Sequence, residues 1–362
     1  MSIAALKLTQ FRNLNGEFKP IKAGLNIFQG QNGSGKTSIL EAIYYLGHGR
    51  SFRTSNLQRL IQEQTSFCSV FAQIDYANHE YCVGLERKLP NESRLRINGE
   101  SEANIAKVTR LLPLRVIDSQ THQILEAGPQ WRRKYLDWGL FYAYDEFIKV
   151  WRAYERALKQ RNSLLKMMRP KVEIQPWSHE VAKYGEIIHT LRYDYINQLL
   201  PHFQTFLNQL LPLGEFNLTY QAGWDETLPL SEVLNSNYAK EFAVGFTKFG
   251  PHRADIEVLL NGLPTRHFLS RGQQKLLICA MILAQGKLYL AQQGQGLIYM
   301  LDDLPAELDK NAQMQLISML EQQKTQVFVT AIERADVNAW RKFDEHMPMQ
   351  MFHVEHSQIL TG

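Results

Sequence analysis

Eight consecutive residues, Gly30-Gln31-Asn32-Gly33-Ser34-Gly35-Lys36-Thr37, fit the pattern GxxxxGK[ST] at every defined position. The chemistry this pattern serves is phosphate binding. Glycines let backbone N–H groups curl around phosphate oxygens that side chains would keep away. A helix starting at the end of the loop adds partial positive charge at the same place. Lys36 is long enough to reach the β- and γ-phosphates of a nucleotide, and the Thr37 hydroxyl can coordinate Mg²⁺. Far along the chain, Asp302-Asp303 follows the apolar run Leu297–Leu301. A strand that ends in an acid places its carboxylate at the carboxyl edge of a sheet, where Asp302 would face the metal. Either acid could instead simply cap the loop. Ser270-Arg271-Gly272-Gln273 precedes the helical run Leu276–Ala284, and Ser270 is a good N-cap in its own right. A nucleoside triphosphate with Mg²⁺ is the expected ligand.

The elements that must carry these residues are legible in outline. Strands are expected at Ile3–Leu8 and Leu25–Phe28, the second running into the glycine-rich loop. Ile39, Leu40, Ile43, Tyr44 and Leu46 predict a helix with one apolar face over Thr37–Leu46. Cys68–Ile74 and Tyr81–Arg87 have strand character, and Arg94–Ile97 meets Asn98-Gly99, the favoured pair for a tight hairpin. The middle of the chain is helical. Phe147, Trp151, Tyr154, Leu158, Leu165 and Met168, then Val181, Tyr184, Ile188, Leu191, Tyr195 and Leu199, recur at helical spacing around a break at Pro170 and Pro176. Two helices of about 30 residues, each about 45 Å long, are expected. Strand Ile256–Leu260 with its Asn261-Gly262 turn, a helix from near Ser270, and buried strands at Leu297–Leu301 and Val327–Thr330 return the chain to α/β. The organisation is therefore an α/β head, 1–137 with 245–362, interrupted by a helical insertion over 138–244.

Composition narrows the function classes. The 362 residues are 44% hydrophobic and 21% charged, with formal net charge +4 and pI about 8.8, so net charge alone does not mark a nucleic-acid binder. Cys68, Cys82 and Cys279 are odd in number and never in a CxxC pair, which predicts neither a disulfide framework nor a zinc site. The most apolar stretch, Leu276–Ala284, is about half of a bilayer span, and the N-terminus has no signal pattern. A cytoplasmic protein without a membrane partner is expected.

The order of these motifs resembles that of the ABC ATPases, and the chain resembles in particular the RecF branch of the SMC/Rad50-like ABC ATPases. Leu269 to Gln274 is similar to the LSGGQ signature, with Arg271 a departure. Leu297–Asp302 is similar to a Walker B strand, and Glu307-Leu308-Asp309 to a D-loop. Phe11-Arg12-Asn13-Leu14 resembles the family's FRN element. Gly128-Pro129 through Asp137 resembles the element built on RRxxLD, and Gly250-Pro251-His252-Arg253-Ala254-Asp255 the GPHRDD element. Transporters and Rad50-type proteins lack those last two.

The resemblance implies an ABC-type P-loop head with a mixed sheet, an antiparallel portion, a helical second lobe and no long coiled coil. It implies that ATP binds to Gly30–Thr37 with Arg12 contacting the nucleotide. Ser270, Gly272 and Gln273 would meet the γ-phosphate of ATP held by a second copy, and Glu307 and Asp309 would form the D-loop. Mg²⁺ would be held by Thr37 and Asp302. Asp303 stands where the family carries its catalytic acid, and Gln120 at the place of the Q-loop residue, although Ile117–His122 departs from the family wording. Thr330 stands where transporters have a switch histidine, which implies slow hydrolysis. Double-stranded and gapped DNA, an ATP-dependent homodimer, and RecR and RecO mediators are the implied partners.

From Lys149 to Lys171 there are eight basic residues and one acidic residue, Glu155. Lys149, Arg152, Arg156, Lys159 and Lys166 form one helical stripe, away from the apolar one. Arg132, Arg133 and Lys134 make a second cluster, and Arg50, Arg53 and Arg59 a third. Each is either a solvated face or a set of phosphate contacts giving salt-sensitive, sequence-indifferent affinity. Two other classes are considered. In a transporter's ATP-binding subunit, the phosphate loop and signature lie much closer than Lys36 and Ser270 do, and a switch histidine is usual. An SMC-like tether needs coiled coils for which the chain has no room.

Overall fold

A computed structural model describes residues 1–332, 340, 343, 345–355 and 358–361, the side chains of 306, 307 and 358–361 excepted. The chain opens with β1 (Ser2–Phe11), β2 (Leu14–Phe18) and β3 (Leu25–Gln29), then helix α1 (Lys36–His48). Strands β4 (Phe67–Tyr76), β5 (His79–Lys88), β6 (Glu92–Ile97) and β7 (Glu100–Glu102) follow, then α2 (Ile105–Leu111) and β8 (Leu114–Ile117). The helical section holds α3 (Gln123–Glu126), α4 (Pro129–Ala143), α5 (Phe147–Lys166) and α6 (Lys171–Leu210). After it come β9 (Phe216–Gln221), α7 (Leu230–Ser236), α8 (Tyr238–Val244), β10 (Asp255–Leu260), β11 (Leu263–Pro264) and α9 (Arg271–Gln293). Last are β12 (Ile298–Leu301), α10 (Leu304–Glu307), α11 (Lys310–Gln322), β13 (Gln326–Ala331), β14 (Met349–Glu355) and β15 (Gln358–Thr361).

The chain divides into two compact units, Met1–Thr121 with Tyr289–Gly362, and His122–Leu288. The division falls immediately after the Gln120 turn and, on the return, inside α9. The insertion expected at 138–244 lies within the second unit.

The first unit has two six-stranded sheets, so the expected antiparallel portion is a sheet of its own. It runs β2-β1-β4-β5-β6-β7, and its β6–β7 turn has Asn98 and Gly99 at φ 52° and 84°, as a tight hairpin requires. The other sheet runs β15-β14-β3-β13-β12-β8 and is parallel from β14 to β8. Its register aligns Leu301 with Val329 and Ile117, and Gln29 with Ala331, so the strands leave at one edge. Helix α1 contributes to the same apolar core as both sheets, together with Phe28, Phe328 and Phe352. Ten of its 13 residues are buried, more than the single apolar face expected for it.

In the second unit, the middle helices differ from expectation. They are 20 and 40 residues long instead of about 30 each, because the chain breaks at Pro170 and not at Pro176. Pro176 and Pro201 both lie inside α6 on its exposed side. Val172 and Asn197, whose carbonyls they leave without that N–H, are themselves exposed residues. Strands β11-β10-β9 form a small antiparallel sheet, its β10–β11 turn made by Asn261 and Gly262 at φ 51° and 80°. Helix α9 is long and apolar enough to cross a membrane by length and composition, and 67% of its most apolar stretch is buried inside the protein, as in a core helix.

Candidate functional site

The glycine-rich loop leaves β3 at Gly30 and enters α1 at Lys36. A Cβ at Gly30 would lie 2.2 Å from the carbonyl oxygen of Val354, so neighbouring β14 excludes any side chain there. Gly35 sits at φ 114°, and a Cβ on it would meet Leu14 Cδ2 at 2.7 Å. The Phe11–Leu14 element thus packs directly on the loop. Lys36 is buried, its Nζ donating to the carbonyls of Gly30 (2.7 Å) and Gln31 (2.8 Å). Burial pushes its ammonium below the ordinary value, against the pull of Asp303 and Asp302. Gln31, Asn32 and Gly33 are exposed, and the enclosed Ser34 Oγ has no partner among the described residues. An oxygen-rich anion in the loop would supply that partner.

The strand ends bring the acids to the same place. Thr37 Oγ1 donates to Asp302 Oδ1 at 2.9 Å, and Thr330 Oγ1 donates to the same oxygen at 2.9 Å. A hydroxyl and a carboxylate converging at one point are hard oxygen donors, the kind Mg²⁺ takes together with retained waters. The residues present therefore fit the metal. Burial raises the Asp302 carboxyl above its ordinary value, the Thr37 and Thr330 hydroxyls oppose the shift, and Asp118 and Asp303 reinforce it. Thr330, buried at the end of β13, also accepts from the Asp303 N–H at 2.7 Å, so one hydroxyl fixes both acids. Asp303 itself is exposed with φ 54° and its side chain makes no cap bond to α10. Gln120 lies in the exposed turn after β8, its N–H donating to Asp118 Oδ1 at 3.0 Å. β8 neighbours β12, and the Asp302 N–H donates to Ile117 O at 2.9 Å, which puts that turn beside the acids.

The sequence reading placed Thr330 only at the position of a switch histidine, and it missed two participants. Asp118 is one, and the other is Glu41, fully buried on α1 one turn beyond Thr37. It accepts from Arg12 Nε (2.9 Å) and Nη2 (2.8 Å), from Ser51 Oγ (2.5 Å) and, at 3.5 Å, from Arg53 Nη1. Arg12, expected on the nucleotide, thus has its forked face on Glu41, and Arg53 of the third basic cluster joins it. An acid at a helix position otherwise filled by apolar residues was the available signal.

The signature residues start α9 as expected, with an addition. Gln273 N–H donates to Ser270 Oγ (3.3 Å) and Ser270 N–H to Gln273 Oε1 (2.9 Å), a reciprocal capping box. Gly272 is exposed and a Cβ there would meet nothing within 4 Å. Asp309 caps α11, its Oδ1 accepting from Ala312 N–H at 2.9 Å, while the side chain of Glu307 lies outside the described ones.

The basic clusters separate. Arg132 is a correction: it is buried and clamps Asp255 through Nε (2.6 Å) and Nη2 (2.9 Å), so it is closed to phosphate. Arg133 donates to Ala254 O at 2.9 Å and is half-buried, while Lys134 is exposed above the Trp131 ring. Asp137 takes Arg192 of α6 at 2.7 Å, and Arg192 also donates to Pro251 O at 2.8 Å. The RRxxLD and GPHRAD elements are therefore bonded to one another. Lys149, Arg152, Arg156 and Lys159 are exposed along α5 and their side chains have no ion pair among the described residues. Arg161, in the same helix, is fully buried with its Nη2 2.6 Å from Glu241 Oε2.

Comparison with known proteins decides what this arrangement belongs to. The family described as RecF/RecN/SMC N terminal domain matches residues 2–357. The DNA replication and repair protein RecF of Shewanella loihica is 38% identical over 359 residues, 99% of each chain. The chain belongs to the RecF family. The RecF of Shewanella piezotolerans is 39% identical over 361 residues, again 99% of each chain. A solved structure described as the recombination mediator protein RecF with ATP in the RecFOR pathway superposes with a TM-score of 0.87, at 24% identity, over 99% of this chain and 97% of that one. The fold is accordingly the RecF- and SMC-type ATPase head with a helical lobe, and no long coiled coil is present among the described residues. Within the RecF family, the bonded RRxxLD and GPHRAD elements acquire a physical meaning as a lock inside the second unit.

Proposed function

We propose that this chain is an ATP-dependent DNA-binding protein of recombinational repair and replication restart, working in the cytoplasm. The observation that carries the reading is the 2.9 Å contact between Thr37 and Asp302, residues 265 apart in sequence. It joins the phosphate loop to the acid-ended strand, as a nucleoside triphosphatase needs. Gly30–Thr37 would cradle ATP, Lys36 leaving its loop carbonyls for the β- and γ-phosphates. Thr37 and Asp302 would hold Mg²⁺, which supplies counter-charge to the phosphates. Asp303 would orient the attacking water, with Gln120 beside it and Arg12 held near the loop by Glu41.

Each copy would lack a complete site. Ser270, Gly272 and Gln273 would approach ATP held by a second copy, with Glu307 and Asp309 lining the same junction. Gly272 supports this. Glycine is a poorer helix former than alanine, and no neighbour among the described residues requires one at this first-turn position. Space for an approaching phosphate gives it a reason.

The 138–244 lobe would bring duplex or gapped DNA against Lys149, Arg152, Arg156 and Lys159, with Arg133 and Lys134 nearby in sequence. Slow, DNA-stimulated hydrolysis would release the DNA-bound dimer, and RecO- and RecR-type mediators would help load recombinase onto single-stranded DNA. Static light scattering with and without ATP, repeated with duplex, tests the core of this reading. Wild-type protein is expected to double in mass with ATP, and Ser270→Arg to stay monomeric while still binding ATP. Lys36→Arg should retain much of the ATP affinity and lose hydrolysis. A Ser270→Arg protein that dimerises on ATP overturns the shared site.

A further inference from the structure

We infer that one end of the second unit, formed by the α5–α6 turn and the end of α8, is a docking face for a partner protein whose apolar surface is bordered by carboxylates. The inference rests on the reading that this chain works with protein mediators. Met167, Met168, Val172, Val244 and Phe246 are 67, 68, 74, 47 and 40% exposed. The segments carrying them meet. A Cβ at Gly245 would lie 3.5 Å from Lys166 Cα, Thr247 N–H donates to Asn162 Oδ1 at 2.8 Å, and Lys171 Nζ sits 5.1 Å from the Tyr238 ring centroid. Their exposed area is on the order of 500 Å², comparable with the largest apolar patch of a typical monomer, ~300–600 Å², which is often functional. A polar rim can extend it toward the ~800 Å² per partner of a stable interface.

Charge selects the occupant. Lys166, Lys171, Lys240 and Lys248 are exposed around the patch. The nearby Glu173 is spent on Arg169, accepting from its Nε at 3.0 Å and Nη2 at 3.1 Å. A second copy of this cationic face would be repelled. DNA would satisfy the lysines but leave five apolar side chains in water. A protein surface with carboxylates around an apolar centre answers both, and two adaptable methionines suit a face that repacks on its partner. Met168 also holds φ 51°, a left-handed conformation unusual for any residue but glycine or asparagine, and such outliers gather at functional surfaces.

The test is the double substitution Met168→Asp, Val172→Asp in the full chain. Aspartate tolerates the left-handed conformation, and in the first turn of α6 it complements the helix dipole, so folding is preserved. Purified RecR- and RecO-type mediators are titrated by calorimetry against wild type and variant, beside a 30-base-pair duplex and phosphatidylglycerol vesicles. The expected result is at least about a tenfold loss of affinity for a mediator, with ATP hydrolysis and duplex binding unchanged. Lys240→Glu with Lys248→Glu should weaken the same complex and reduce its salt dependence. Unchanged mediator affinity, with wild type binding tightly, overturns the docking face and leaves the proposed function standing. A parallel loss of duplex affinity makes the face a DNA contact instead, and vesicle binding lost in the variant makes it a membrane contact. If wild type binds neither mediator, the partner reading fails and this inference with it.

Discussion

The acids at the strand ends and the ion pairs of the helical unit use the same residue types in opposite ways. At the strand ends, one Asp302 oxygen receives two hydroxyls, Asp303 is exposed without a cap bond, and Ser34 Oγ is unpartnered among the described residues. In the helical unit, Arg132 is clamped on Asp255, Arg192 on Asp137 and Pro251 O, and Arg161 on Glu241, Ser178 and Thr247. One cluster keeps bonding capacity in reserve for a ligand, and the other spends it within the chain. Motif membership alone does not separate the two, since Arg132 and Asp302 both belong to family motifs.

The sharpest way to break this distinction is to open the closed cluster. Glu241→Ala leaves Arg161 buried without its carboxylate and should cost about 3–5 kcal/mol of stability, read as a lower denaturant midpoint. A shift below 1 kcal/mol would mean that the pair is not structural. The complementary change closes nothing and removes a positioning group. Thr330→Val should slow ATP hydrolysis about 10- to 100-fold, the loss of one or two hydrogen bonds to Asp302 and Asp303, with little change in unfolding midpoint. Equal losses of stability and turnover would place Thr330 with the architectural groups.

The smallest effect concerns acid. His252 Nε2–H donates to Thr247 O at 3.1 Å, which leaves Nδ1 of the neutral ring to accept from the Tyr154 hydroxyl at 2.6 Å. Burial, with Arg253, Arg133 and Arg161 adding to it, pushes its imidazole from 6.5 down to about 4, while the bond to Thr247 resists. Because the folded value is depressed, the unfolded chain binds the proton first. Stability is full above pH 6.5 and falls as pH drops toward 4, by about 1 kcal/mol at pH 6. His252→Gln should flatten that slope in urea titrations at pH 7 and pH 6. An unchanged slope would assign the acid response to other groups.

The head was readable because its signals are local: a strand, a loop pattern and a capped helix each sit within a dozen residues. The Asn98-Gly99 and Asn261-Gly262 hairpins were legible for the same reason. The 40-residue α6 was not, since a proline costs a helix interior about 3 kcal/mol or more, and whether packing along the rest of the helix outweighs that cost is a tertiary property. Glu41 and the contacts of Thr330 were hidden likewise. A buried acid in α1 is explicable only once Arg12 and Arg53 converge on it from elsewhere, and a threonine ending β13 gains importance only through its neighbour β12.

By itself the sequence determined which groups are candidates for chemistry, Lys36, Thr37, Asp302, Asp303 and Ser270, because each lies in a short pattern whose spacing fixes local backbone. Only the tertiary structure decided which charges stay available. That depends on partners distant in the chain, as Arg132 finding Asp255 and Thr37 finding Asp302 both show, and on burial, which raises the cost of leaving any of them unpaired.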